Sequence, residues 1–112
     1  MTLAAGSLSD RVTILDGSER ERSASGQATQ RWRDREERWA RVEDLSASLA
    51  EKASAAGVRV RTMVTLREPI ELEAFVNAIR FESRGRTRIL NVVEVRRMPS
   101  AEYVEVFCTE IA

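Results

Sequence analysis

Few residues in this chain could do chemistry. There are 18 Asp and Glu but no His, which removes the commonest general base and the commonest zinc ligand. A hydrolytic site would rest on carboxylates such as Glu71 and Glu73, and no partner motif accompanies them. The single cysteine, Cys108, allows no intrachain disulfide. It alternates with Val104 and Val106, the pattern of a small buried hydrophobe rather than a nucleophile. No spacing suits a metal. The expectation is no enzymatic activity, no cofactor and no metal. Trp32 between Arg31 and Arg33 has the parts of a stacking platform for nucleic acid. Glu36 and Glu37 lie close by, however, and the formal net charge is +0, whereas nucleic-acid binders usually carry a basic excess.

The kind of base is more informative than its amount. Lys52 is the only lysine, so 18 − 1 = 17 of the basic residues are Arg. Arg makes planar, bidentate contacts with carboxylates and stacks on aromatics, which suits protein interfaces. A GC-rich genome would give the same bias. A chain of 112 residues with a hydrophobic fraction of 43% is one domain with one modest core. No apolar run approaches the roughly 20 residues of a membrane helix. The start lacks the charged and apolar regions of a secretion signal, so synthesis in the cytoplasm and no membrane partner are expected.

The elements follow from periodicity. Val58 to Arg67 is the clearest strand: Val58, Val60, Thr62, Val64 and Leu66 share one face. Arg59, Arg61 and Arg67 lie on the other, as candidates for an interface. Leu8 to Leu15 reads as a first strand with Leu8, Val12 and Ile14 inward. Residues 1–7 read as a flexible N-terminus. Asp16 to Gln30 is polar, has no period, and reads as a long mobile loop. Within 30–45 the reading is a strand around Trp32, a bend or bulge, then a strand from Arg38 to Leu45. A helix there is an alternative. Ala40 and Val42 would face inward and Trp39 outward. Trp32 and Trp39 join the interface candidates.

Residues 46–56 carry helix signals: Ser48 with Glu51 as a capping box, then Gly57 at the position after the helix. Leu45, Leu49 and Ala53 would pack it on a barrel wall. Pro69 stops the central strand. Phe75, Asn77, Ile79 and Phe81 alternate with Val76, Ala78, Arg80 and Glu82. Ser83-Arg84-Gly85 reads as a hairpin turn with Gly85 at positive φ. Arg86 to Arg97 returns with Ile89, Val93 and Val95 on one face, Leu90 and Val92 on the other. Tyr103 to Ile111 closes the set, with Val104, Val106 and Cys108 inward. The sum is a mainly β, single domain over 1–112. It is a small antiparallel β-barrel of six to seven strands with one short helix and one long loop.

The ordered set of marks resembles the phage head–tail joining family, the head-closure or stopper proteins, including their gene transfer agent counterparts. The marks are Leu8 with Arg11-Val12-Thr13-Ile14, Gly26-Gln27 in the polar loop, Trp32, and Trp39-Ala40-Arg41-Val42 with Leu45. An Ala-rich stretch follows, then Thr65-Leu66-Arg67, Ile79-Arg80-Phe81, Gly85-Arg86, Ile89-Leu90-Asn91-Val92 and Tyr103-Val104-Glu105-Val106 with Cys108. The chain departs from the family at Arg88, where an aromatic often follows the Gly-Arg pair, and in a longer Pro69 to Ala74 segment.

The resemblance implies a structural subunit of the virion neck or of a gene transfer agent particle. Such subunits form a homo-oligomeric ring, commonly of twelve copies. The ring sits between the portal–adaptor complex and the tail terminator or tail tube, and double-stranded DNA passes through it without sequence-specific binding. A long loop can close the channel. Here that loop would be Asp16 to Gln30, with Glu19, Arg20, Glu21, Arg22, Gly26 and Gln27 as its candidate residues. Another phage connector, an adaptor or tail-completion protein, is the nearest alternative, and a small nucleic-acid-binding barrel a more distant one.

Overall fold

The computed structural model describes residues 8–17, 21–22, 28–29, 32–46, 60–97 and 102–110. Six strands close into an antiparallel barrel: β1 (Asp10–Gly17), β4 (Trp32–Asp44), β5 (Thr62–Arg67), β6 (Asn77–Ser83), β7 (Arg86–Arg97) and β8 (Tyr103–Glu110). Around the barrel the order is β1-β4-β5-β8-β7-β6. Two further short strands, β2 (Glu21–Arg22) and β3 (Ala28–Thr29), pair with each other antiparallel. Closure matters because a six-stranded open sheet would leave two unpaired edges.

Alternation builds the interior. Val64 and Leu66 of β5, Val104, Val106 and Cys108 of β8, and Leu90 and Val92 of β7 are fully buried together with Val12, Ile14, Ala40 and Ile79. Strand after strand thus shows one apolar face to the same closed space. A smaller cluster of Val60, Val93 and Phe107, with Leu45 and Met63 against it, forms separately.

Five sequence expectations change. First, the residues around Trp32 and those from Arg38 form one strand, β4, of 13 residues. It tolerates the Arg/Glu run because a bulge sits in it: Ile14 pairs with Glu36 and Leu15 with Asp34, leaving Arg35 over. Second, β7 carries its own irregularity between Val92 and Glu94. Val93 therefore joins the smaller cluster while Val95 packs with Leu90 and Val92 on the main core. The expected grouping of Val95 with Val93 and Ile89 fails at that bulge.

Third, Phe75 does not share the alternation expected of it with Asn77 and Ile79. It stands at φ +65° in the turn before β6 and is 64% exposed. Fourth, 16–30 begins inside β1 and contains the β2–β3 pair, so it is not a structureless loop throughout. The central strand is also shorter than its pattern: β5 starts at Thr62, though Val60 is buried as expected. The expected helix over 46–56 lies outside the described residues apart from Ser46, as do the N-terminal residues 1–7 and Arg59.

The β6–β7 hairpin turns on Arg84 and Gly85, at φ +53° and +77°, with Ser83 paired to Arg86. Two positive φ values in a two-residue loop are the turn whose twist matches the flanking strands. Gly85 fits that position freely; Arg84 adopts it too.

Antiparallel register fixes the two mouths of the barrel. At one mouth lie Asp44, Thr62, the Arg84-Gly85 turn, Arg88 and Glu110. At the other lie Gly17, Trp32, Arg67, Asn77 and Tyr103. The segment from Glu68 to Val76 runs from β5 to β6, which stand three strands apart in the barrel. It therefore crosses the second mouth. Ile70 is buried there and Leu72 packs beside it on the core.

Candidate functional site

Three regions hold the residues that could meet a partner: the barrel wall, the β2–β3 extension and the two mouths.

On the wall, β1 and β4 place Arg11 opposite Trp39. Trp39 is 56% exposed, and the Arg11 guanidinium lies over its ring at 5.0 Å. Glu37 holds the same guanidinium at 3.3 Å. The outward placement of Trp39 matches the sequence reading. Arg67, another interface candidate, is exposed but turned onto Tyr103, 5.7 Å from its ring and 3.4 Å from its hydroxyl. Arg61 is exposed just before the other end of β5. Trp32 is half-buried at the start of β4, across from Gly17.

The β2–β3 pair lies in sequence between β1 and β4 and forms a two-stranded sheet of its own. Gly17 pairs with Trp32 at the barrel rim, and Glu21 and Arg22 then pair with Thr29 and Ala28. Of the candidate loop residues, Glu21 and Arg22 are therefore in β2. Glu19, Arg20, Gly26 and Gln27 lie outside the described residues.

The mouth crossed by 68–76 is built from arginines that sequence reading did not single out. Arg38 donates to the carbonyls of Arg67 at 3.1 Å and Pro69 at 2.8 Å. Arg97 donates to Glu68 at 2.5 Å and to the Ile70 carbonyl at 2.7 Å. Arg35, freed by its bulge, grips Asp16 through Nε at 3.0 Å and Nη2 at 2.5 Å, and reaches the Glu71 carbonyl at 2.5 Å. An irregular segment leaves carbonyls without ladder partners, and forked guanidiniums fill that need where Lys could not. Much of the Arg excess is thus spent inside the chain.

Asp16 also accepts from Asn77 Nδ2 at 2.8 Å. The Arg35 guanidinium holds its carboxyl below the usual range, against a smaller opposing effect of burial. Asn77 is buried and satisfied throughout: it donates to the Leu15 carbonyl at 3.1 Å and accepts from the Glu73 amide at 2.7 Å. Between Asp16, Arg35, Glu36, Arg38 and Pro69 to Glu71 lies a groove of about 490 Å³.

The opposite mouth is closed by charge. Arg88 continues the inward phase of Leu90 and Val92. It donates to Asp44 Oδ1 at 2.8 Å and to Glu110 Oε1 at 2.7 Å. Thr62 donates to the same Asp44 at 3.2 Å. These hydrogen bonds lower the Asp44 pKa and raise that of Arg88. Its reach across the mouth to these two carboxylates explains how a cation is tolerated in the inward phase.

For catalysis the arrangement offers little. Glu71 and Glu73 are exposed on the mouth segment, and among the described residues neither side chain is brought to a general acid or base partner. Cys108 is fully buried, and burial pushes its thiol up to about 12, so it carries no thiolate at neutral pH. Among the described residues no group of three or more His, Cys, Asp or Glu is placed to hold a metal ion.

The described residues form a closed barrel with ion-paired walls and mouths, an exposed Trp–Arg pair and a separate β2–β3 pair. A family model, phage head completion protein, matches residues 3–111. The chain belongs to that family, and its role is structural, in completing the phage head among other head and tail components. The fold is also that of the solution structure of protein SF1141 from Shigella flexneri 2a. The TM-score is 0.71 at 23% identity, over 98% of each chain. No curated protein matches.

Proposed function

We propose that this chain is a ring subunit of the neck, joining the portal–adaptor complex to the tail and continuing the channel for double-stranded DNA. The observation that carries the reading is the β2–β3 extension. Its strands lie in sequence between β1 and β4, whose Gly17 and Trp32 ends meet at one barrel mouth, where a loop directed into a channel would start. Copies meet head to tail, as any closed ring of one chain requires. Commonly twelve copies would form it. Balanced charge suits a conduit, since each phosphate neutralised strengthens DNA binding and resists sliding. The chain acts without catalysis, as an assembled part.

In the ring, Glu19, Arg20, Glu21 and Arg22 of neighbouring copies pair and close the channel. Exposed pairs contribute at most about 1 kcal/mol each, so closure needs many copies and opening needs few breaks. Gly26 and Gln27 belong to the same candidate loop. The test is negative-stain imaging of the protein mixed with its portal complex, with and without residues 19–25. Both forms should add a ring to the portal, and particles built with the shortened form should leak packaged DNA. A portal without added density overturns the ring. Particles that keep their DNA overturn the gate.

A further inference from the structure

We propose that the hairpin tip Arg84-Gly85-Arg86 of one copy docks on the crossing segment at Glu71 and Glu73 of the next, joining copies end to end through Arg–carboxylate pairs. The inference rests on the ring reading and names the contact that builds it.

The tip is cationic and finds nothing of its own chain to hold. Arg84 and Arg86 are exposed, and neither guanidinium meets a carboxylate, carbonyl or ring among the described residues. A side chain built at Gly85 would touch nothing within 4 Å, so the tip stands clear of the described barrel. Arg84 also takes φ +53°, which Asn or Gly would take with less strain in such a turn. Among the described residues nothing rewards an Arg there. The walls are different, for their guanidiniums close on the chain's own carboxylates: Arg11 on Glu37, Arg80 on Asp34, Arg96 on Glu94. Near the tip the carboxylates are already engaged. Glu82 acts on Arg80, and Asp44 and Glu110 are taken by Arg88.

The opposite mouth carries the complement. Glu71 and Glu73 are exposed on the crossing segment, and Glu102 is exposed beside it, its carbonyl accepting from the Glu68 amide at 2.7 Å. None of these three carboxylates is in an ion pair among the described residues. The arginines that build this mouth are held by others: Arg35 by Asp16, Arg38 by Glu36 and Arg97 by Glu68. Arg33 stands here too, and its charge acts on Asp16. The segment is firmly seated, since Arg35 holds the Glu71 carbonyl at 2.5 Å and Asn77 accepts from the Glu73 amide at 2.7 Å.

Charge complementarity selects a second copy as the partner. Antiparallel register puts the uncommitted cations at one end of the barrel and the uncommitted carboxylates at the other. With a formal net charge of +0, what one end lacks the other end supplies. A nucleic acid would match the tip alone and be repelled by the acidic end. Forked guanidiniums on carboxylates are the pairing this chain already uses, and they give a contact direction as well as attraction. One end meeting the opposite end is a heterologous contact, the kind that closes a ring by rotation.

Charge reversal tests it with the portal complex present. One variant reverses the tip, Arg84→Asp with Arg86→Glu, because Asp accepts the positive φ. The other reverses the segment, Glu71→Arg with Glu73→Arg. All four side chains are exposed, so both variants should keep the wild-type circular dichroism spectrum. Each alone should lose its rings in negative stain, because like charges then face each other. Mixed in equal amounts they should regain them, since each variant's tip opposes the other's segment with opposite charge. Rings at wild-type yield from either variant alone overturn the contact; if such tip-variant rings retain less DNA, the tip belongs to phosphate instead. A mixture that stays without rings also overturns it. If the wild-type chain adds no ring to the portal, the ring reading falls first and the contact falls with it.

Discussion

The two mouths of the barrel are closed by opposite chemistries. At the β5–β6 crossing, an apolar residue, Ile70, plugs the interior, and arginines hold its backbone from outside. At the hairpin mouth there is no crossing segment among the described residues. A charged residue, Arg88, enters the inward phase itself and is neutralised by Asp44 and Glu110. The first arrangement puts the hydrophobic effect inside and uses Arg as a fastener. The second puts Arg inside and depends on its partners. The energetics should differ accordingly. Burying an aliphatic plug gains transfer energy that salt does not touch, while a bridged cation gains little net energy and is costly only when broken.

The largest effect should come from the plug. Ile70→Ala leaves a cavity in the main cluster, at a cost of about 2–4 kcal/mol. Urea unfolding should show a lower midpoint at unchanged slope, equally at low and high salt. A loss under about 1 kcal/mol would show that the segment merely lies on the mouth. The bridge comes next. Arg88→Ala strands Asp44 and Glu110 near one another and should cost about 1–2 kcal/mol. Arg88→Leu keeps an aliphatic stem in the inward phase and should recover more than half of that loss. If Leu and Ala are equally harmful, the bridge stabilises by charge and not by filling. In 1 M salt, where the screening length is about 3 Å, the Arg88→Ala penalty should shrink and the Ile70→Ala penalty should not.

The alternation of β5, β7 and β8 was legible because each residue in a paired strand obeys a period of two. The barrel followed from those strands and from the hairpin turn. Bulges were not legible in their consequence. One extra residue shifts the phase of everything beyond it, and neither Arg35 nor Val93 differs in type from its neighbours. Phe75 defeated periodicity for a related reason: its amide is bound by Val92, a partner distant in sequence. The arginine fasteners were invisible because a guanidinium at the end of a long stem finds its carbonyl only in the folded chain. Arg88 left a trace, a charge in phase with Leu90 and Val92. Trp39 was read correctly as outward because its neighbour Ala40 had to face in. Arg67 lies over Tyr103, a contact made across strands that alternation does not announce.

The smallest effect is one of pH, and it also separates the mouths. Asp16 fastens the plug side and Asp44 the bridge side. Hydrogen bonding to Arg35 in one case and Arg88 in the other lowers both pKa values. A carboxyl lowered in the folded state binds its proton more readily when unfolded. Its contribution is therefore fully present above the unfolded value of about 3.9 and is lost as pH falls through the folded one. Stability should thus decline below about pH 4, by less than about 1 kcal/mol for each site, because both are open to solvent screening. Asp16 is the more shielded, with 26% of its side chain exposed against 68% for Asp44, and it has Asn77 as a second donor. Asp16→Asn should therefore remove more of the acid-side decline than Asp44→Asn, in urea midpoints compared at pH 7 and pH 3. The reverse order would mean that the exposed bridge, and not the shielded fastener, is the stronger electrostatic contact.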